Sequence, residues 1–98
     1  MSIILDLNSP VFQKDLFSLS KEQAFSLLNT LKKISKMSWE ELYKDNGLRW
    51  ELIYSKKGKK GENIYSFRIN KKFRAIALRE ANYLRVLSLH TDHDSTYK

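Results

Sequence analysis

Both histidines of the chain lie in one C-terminal segment, His90-Thr91-Asp92-His93-Asp94. Histidine titrates near neutral pH and can move a proton in a transition state, so this segment is a candidate for acid–base catalysis. Histidine and aspartate are also common metal ligands, but no cysteine or glutamate lies nearby to extend the set, and we expect no metal site. A polar extension without a chemical role is the third interpretation.

A second candidate feature is a run of lysines in the stretch 55–63, namely Lys56, Lys57, Lys59 and Lys60. Gly58 interrupts this run and Gly61 follows it, which predicts a flexible basic loop. Lysines in such a loop suit phosphate contacts, which position a nucleic acid without reading its sequence. A solvated loop that binds nothing is an equally good interpretation of the pattern.

The net charge of +7 is unevenly distributed along the 98 residues. Residues 1–48 carry six basic and six acidic side chains, whereas residues 49–98 carry twelve basic and five acidic ones. Positive charge concentrated on one part of a fold attracts polyanions and steers them over long range. The alternative is a charge that serves solubility alone; we favour a nucleic acid or an acidic partner protein.

The pattern of the first half predicts a short strand followed by helices. Ile3-Ile4-Leu5 begins a brief apolar run, and Ser9-Pro10 is a helix-start signal for residues 10–18. Ser20 and Ser38 each open a capping-box pattern, and apolar residues at helical spacing follow the first of them. Asn46-Gly47 is expected to end the last helix.

From residue 50 onwards the hydrophobic period changes from 3.6 to 2, which predicts strands over 50–54, 64–70, 73–80 and 83–90. We therefore expect an α+β fold, in which an N-terminal strand and helices pack on one face of a C-terminal antiparallel β-meander. Residues 1–98 are expected to form one domain, with a polar tail over residues 91–98. The other face of the sheet is then open to water and is the place to look for function.

Two-residue turns at Lys71-Lys72 and Ala81-Asn82 would fix which residues share a face. They place Arg68 opposite Ala75, and Ala75 opposite Ser88. The predicted core face comprises Tyr65, Phe67, Ile69, Ile76, Leu78, Leu87 and Leu89. The predicted open face comprises Ser66, Arg68, Asn70, Phe73, Ala75, Ala77, Val86, Ser88 and His90, with Arg74 and Arg85 assigned to the rim of the core face.

The second half of the chain resembles the closing strands of the RelE/ParE toxin superfamily. The resemblance is carried by 64–69 (Ile-Tyr-Ser-Phe-Arg-Ile), 72–77 (Lys-Phe-Arg-Ala-Ile-Ala) and 84–90 (Leu-Arg-Val-Leu-Ser-Leu-His). An aromatic-Ser-x-Arg-Ile strand followed by an aromatic-Arg strand is typical of the ribonuclease branch with YoeB-like and HigB-like toxins. The resemblance covers roughly residues 48–94, and the first half matches in layout more than in sequence.

The resemblance implies a toxin that cleaves messenger RNA without a metal or other cofactor, usually in the ribosomal decoding site. In that chemistry the ribose 2′-hydroxyl attacks the neighbouring phosphate. Arg68 matches the strand arginine that stabilises phosphate in YoeB-like members. Acid–base residues of the family often lie after the last strand, which nominates His90 and His93, with Asp92 beside them and Glu51 as a strand-borne carboxylate. The chain departs from YoeB-like toxins by running on to Lys98.

Further RNA contacts are expected from the basic loop and from the sheet around it, at Lys56, Lys57, Lys59, Lys60, Lys71, Lys72, Arg74 and Ser88. The expected partners are a cognate acidic antitoxin, messenger RNA and the ribosome. The N-terminus has neither a basic n-region nor a long apolar run, so we expect a cytoplasmic protein without membrane association. The alternatives are a ParE-like DNA gyrase inhibitor and a non-catalytic RNA-binding domain on the same scaffold.

Overall fold

The computed structural model describes residues 2–91, and their order of helices and strands agrees with the α+β fold predicted from the sequence. The elements are β1 (Ile4–Asp6), α1 (Pro10–Phe17), α2 (Lys21–Ser35), α3 (Trp39–Lys44), β2 (Glu51–Lys57), β3 (Asn63–Asn70), β4 (Phe73–Glu80) and β5 (Tyr83–His90). The basic loop is shorter than predicted. Strand β2 continues through Lys57, so only residues 58–62 connect it to β3.

Serine caps begin all three helices, as the sequence predicts. The Ser9 hydroxyl accepts a hydrogen bond from the Phe12 amide. Ser20 forms a reciprocal capping box with Gln23, and Ser38 forms one with Glu41. Each box satisfies two amides at a helix start that would otherwise lack a partner. The start of each helix is therefore fixed by local chemistry.

The strands form one five-stranded sheet in the order β1-β5-β4-β3-β2. β1 runs parallel to β5 at one edge, and the other neighbours are antiparallel. The helices cover one face of the sheet. The main core lies between the two layers and includes Phe12, Leu27 and Ile34 from the helices.

Both predicted turns are present, and Asn70 pairs with Phe73 as expected. The pairing then changes within each hairpin. Arg68 lies opposite Arg74 instead of Ala75, because Ile69 is an extra residue on β3. Leu87 is likewise an extra residue on β5. Each bulge shifts the register by one residue and so exchanges the faces of the residues beyond it.

The predicted faces were consequently wrong for part of the sheet. Phe73, Ala75, Ala77 and Val86 were expected on the open face, but they are buried in the main core under the helices. Ile76, Leu78 and Leu87 were expected in that core, but they form a second cluster with Ile53 and Ile64 on the opposite face. We call this opposite face the outer face. Arg74 and Arg85 also lie on it, and not at the rim of the core face.

Candidate functional site

The pairing register aligns the polar residues of the outer face in two neighbouring rows across the sheet. The first row is Glu51, Ser66 and Ser88, with the apolar Ile76 between the two serines, each residue directly opposite the next. The second row is Arg68, Arg74 and His90. The rows are two residues apart on each shared strand, so their side chains point to the same side. Four strands therefore contribute to one polar surface.

Arg74 is the best-connected side chain of this surface. Its Nη2 donates a 2.8 Å hydrogen bond to the hydroxyl of Ser66, which is fully buried, and lies 3.3 Å from Oε1 of Glu51. Its Nε atom is buried and has no hydrogen-bond partner among residues 2–91. A hydroxyl and a carboxylate thus fix the guanidinium, while its buried Nε donor has no partner among residues 2–91.

Arg49 adds a further positive charge next to Glu51. Its Nη2 lies 3.7 Å from Oε2 of Glu51. Arg49 has a φ of 49°, in the left-handed region that non-glycine residues seldom adopt. The neighbouring backbone is anchored to β3, because the Arg68 amide donates a 2.6 Å hydrogen bond to the Leu48 carbonyl. Glu51 therefore lies between two arginines.

His90 contacts the other serine of the first row. Its Nε2 atom lies 3.0 Å from the Ser88 hydroxyl. Burial lowers the pKa of the imidazole below its usual value; the carboxylate of Asp15 opposes this effect, and the charge of Lys56 adds to it. Asp15 is held in place by a 2.9 Å hydrogen bond from the Leu89 amide. The lowered pKa favours a neutral imidazole at pH 7, which can accept a proton.

Arg68 lies beside Arg74 in the second row and is partly exposed. Within the described range 2–91, its guanidinium forms no hydrogen bond or ion pair. Five donors in a fixed planar fork are therefore free for a ligand. Arg68, Arg74 and His90 together could bind a phosphate and transfer a proton close to it.

The lysines that were candidates for phosphate contacts occupy both ends of the sheet. Lys71 and Lys72 are exposed in the turn that follows the row of Arg68 and Arg74. Lys56 and Lys57 belong to β2, and Lys57 donates a hydrogen bond to Asn63. Lys59 and Lys60 are exposed in the loop beyond. The turn lysines are thus adjacent to the polar rows, whereas the loop begins at the other end of β2.

Two predicted catalytic residues, Asp92 and His93, lie outside the described residues. The other carboxylate of that histidine-bearing segment, Asp94, also lies outside them. Within residues 2–91, no three histidine or acidic side chains are grouped as a metal site would require.

Sequence reasoning assigned Arg74 to the wrong face and did not identify Arg49 and Asp15. Arg74 could have been placed correctly only by anticipating the bulge at Ile69. Asp15 lies 74 residues before Leu89, to whose amide it is bonded, and no local pattern reveals such a contact. Arg49 precedes the strand and gives no signal beyond its charge.

Comparison with known proteins gives a match in structure alone. No family model and no curated protein sequence matches the chain. A chain of the crystal structure of the archaeal RelE–RelB complex from Pyrococcus horikoshii OT3 superposes with a TM-score of 0.68. The superposition covers 98% of this chain and 100% of that chain at 15% identity. Among residues 2–91, no helix has both the length and the apolar character needed to cross a bilayer. From the superposition with that crystal structure, we conclude that the chain has the RelE-like fold.

Proposed function

We propose that this protein is the toxin of a type II toxin–antitoxin system and cleaves messenger RNA. The observation that carries the proposal is the row of Arg68, Arg74 and His90 across three strands of the outer face. It combines two phosphate-binding guanidinium groups with an imidazole held largely neutral. The RelE-like fold supports the assignment, since RelE in the similar structure forms a complex with RelB.

The proposed reaction requires no metal ion. The ribose 2′-oxygen attacks the adjacent phosphorus, a new oxygen–phosphorus bond forms, and the bond to the 5′-oxygen of the next nucleotide breaks. The products carry a 2′,3′-cyclic phosphate and a 5′-hydroxyl. A base accepts the 2′-hydroxyl proton, and an acid supplies a proton to the leaving oxygen. Cations beside the phosphate stabilise the extra negative charge of the transition state.

His90 is our candidate for the base, because burial lowers its pKa and leaves it unprotonated at neutral pH. Glu51 was the alternative base from the sequence. Its ion pairs with Arg49 and Arg74 instead favour a positioning role for Glu51. His93 remains the candidate acid, with Asp92 beside it. Arg68 and Arg74 are the proposed phosphate ligands, and the turn lysines Lys71 and Lys72 would hold the flanking RNA backbone.

The direct test is to incubate the purified chain with a defined messenger RNA, free and programmed into ribosomes, and to map the product ends. We expect cuts that leave a 2′,3′-cyclic phosphate. One 2′-deoxynucleotide placed on the 5′ side of the mapped cut should abolish cleavage there and leave other cuts unchanged. Undiminished cleavage at the deoxy position would contradict the mechanism, because the nucleophile would be missing.

Expression of the chain in growing cells distinguishes the alternative functions. We expect growth to stop through loss of translation and of intact messenger RNA. Loss of DNA supercoiling with intact messenger RNA would instead support gyrase inhibition. RNA binding that never leads to cleavage would support a non-catalytic RNA-binding domain. Any affinity of the chain for RNA, with or without cleavage, should fall steeply with salt, because bound phosphates release counterions.

A further inference from the structure

The edge of β5 that faces away from β4 has two different partners along its length. β1 pairs with the first three residues of β5. Further along, the Ser9 hydroxyl donates a 3.1 Å hydrogen bond to the Leu87 carbonyl, and the Leu89 amide donates one of 2.9 Å to Oδ2 of Asp15. Ser9 caps α1 and Asp15 lies within it. The first helix therefore takes over from β1 in covering this edge.

Asp15 makes its contact with β5 as a carboxylate without a cationic partner. It is half-buried, and within residues 2–91 no lysine or arginine forms an ion pair with it. A backbone amide needs only an acceptor, which a neutral asparagine could also supply. The negative charge of Asp15 is therefore not required for the bond to Leu89 and can act on other groups nearby.

The bond from Leu89 to Asp15 fixes the backbone that carries the candidate base. His90 directly follows Leu89 and is the last residue of β5. Its imidazole is held from another direction, because Nε2 lies 3.0 Å from the Ser88 hydroxyl. A catalytic group that is misplaced by about 1 Å can lose about 10²-fold in rate. The anchor on Leu89 is therefore close enough in the chain to affect the position of the imidazole.

Several charged side chains share this region with His90. They are Asp15 of α1, Glu51 and Lys56 of β2, Arg68 of β3 and Arg74 of β4. Burial lowers the pKa of the imidazole most, Asp15 raises it and Lys56 lowers it. Glu51 is already engaged by two arginines. Asp15 is thus the carboxylate that can offset a positive charge on the imidazole.

We propose that Asp15 is a positioning residue for His90, whose carboxylate fixes the end of β5 and stabilises the imidazole when it carries a proton. This role rests on the proposed function, in which His90 accepts the proton of the 2′-hydroxyl. The imidazole then becomes positive beside basic side chains, and a fixed negative charge lowers the free energy of that state. Asp15 contacts neither the RNA nor the reacting atoms in this proposal.

The first test measures the charge effect without RNA. Asp15→Asn keeps an acceptor of the same shape for the Leu89 amide and removes only the charge. The imidazole of His90 is titrated by NMR in the full-length chain, and His90→Gln identifies its signal. We expect a lower pKa of His90 in Asp15→Asn than in the unaltered chain. Glu40→Gln removes an exposed carboxylate of α3 and should leave this pKa unchanged.

The second test measures RNA cleavage as a function of pH. In Asp15→Asn we expect the acid limb of kcat/KM to move to lower pH, because this limb reports the base of the free enzyme. We also expect kcat to fall about tenfold with little change in KM, since a base of lower pKa accepts the proton less well. A residue that only caps the edge of β5 would leave the acid limb in place.

Asp15→Ala separates the anchor from the charge. It removes both, so the Leu89 amide should lose protection from hydrogen exchange and kcat should fall about tenfold below that of Asp15→Asn. Circular dichroism checks that each variant folds. An unshifted titration of His90 in Asp15→Asn would overturn the proposal, whether or not the chain cleaves RNA. Cleavage with an unshifted acid limb would also overturn it while leaving the proposed function intact.

Discussion

Arg74 donates a hydrogen bond of 2.8 Å to the hydroxyl of Ser66, the fully buried polar residue beneath it on the outer face. The two residues lie on neighbouring strands, and Glu51 accepts from the same nitrogen of Arg74 on the solvent side. A guanidinium held from two directions loses little conformational freedom when it binds a ligand. This contact gives the hydroxyl of the fully buried Ser66 a hydrogen-bond partner.

Substitution Ser66→Ala should loosen Arg74, because Nη2 would lose its shorter hydrogen bond and keep only the 3.3 Å contact with Glu51. A hydrogen bond to a charged group contributes about 1.5–3 kcal/mol to the free energy of unfolding. We also expect RNA cleavage to fall by about 10- to 100-fold, because the phosphate ligand is no longer held in position. Urea unfolding and cleavage rates measure the two effects. The exposed Ser55→Ala should change neither, and an unaltered rate in Ser66→Ala would contradict the positioning role.

Substitution Arg68→Ala should abolish most of the cleavage without unfolding the protein. Removal of one preorganised charge from a transition state costs about 10²- to 10³-fold in rate. Stability should stay within about 0.5 kcal/mol, because Arg68 has no bonded side-chain partner within residues 2–91. Arg68→Lys should recover only part of the rate, since it keeps the charge and loses the planar fork. Lys21→Ala, on the helical side, is the charge-matched control, and cleavage unchanged in Arg68→Ala would refute the assignment.

The lowered pKa of His90 predicts a specific dependence of stability on pH. The unfolded chain binds the imidazole proton below about pH 6.5, whereas the folded chain binds it only at lower pH. The contribution of His90 to stability is therefore complete above pH 6.5 and is lost as the pH falls from there to the folded pKa. Urea unfolding between pH 7 and pH 5 measures this loss.

His90→Gln provides the control, because it removes the titrating group. The variant should show a flatter pH dependence across the same window. Losses below about pH 4.5 belong to carboxylates such as Asp6 and Asp45, whose pKa values are lowered by their hydrogen bonds to backbone amides and to lysine or arginine. Equal slopes for the two proteins between pH 7 and pH 5 would show that His90 is not buried as described.

Ala77→Leu tests the register that the structure assigns. Ala77 is fully buried under the helices, so a leucine there should overfill the core and reduce stability by about 1–3 kcal/mol. The register expected from the turns alone would place Ala77 on the outer face, where a leucine is tolerated. Tyr54→Leu, at a strand residue that is 86% exposed, is the control. Denaturant midpoints that do not differ between Ala77→Leu and the unaltered chain would favour the simpler register.

The local sequence determined the helix starts, the strand positions and both tight turns. Ser20 with Gln23 and Ser38 with Glu41 each place a side chain where the backbone of the first helical turn needs it. The two-residue period after residue 50 likewise follows from the pleat of a strand. Such features depend on neighbours within a few residues, so they can be inferred without knowledge of the fold.

Only the tertiary structure decided which residues share the candidate site. The extra residue Ile69 brings Arg74 onto the outer face and buries Ala75 and Ala77, and the extra residue Leu87 pairs Ser88 and His90 with outer-face residues of β4. A bulge depends on how a whole sheet packs its apolar side chains against the helices, so the period of one strand does not reveal it. The alternation did identify Arg68 and His90 as candidates. Their alignment with Arg74, and the contact of Arg74 with Ser66 and Glu51, arises from the folded sheet.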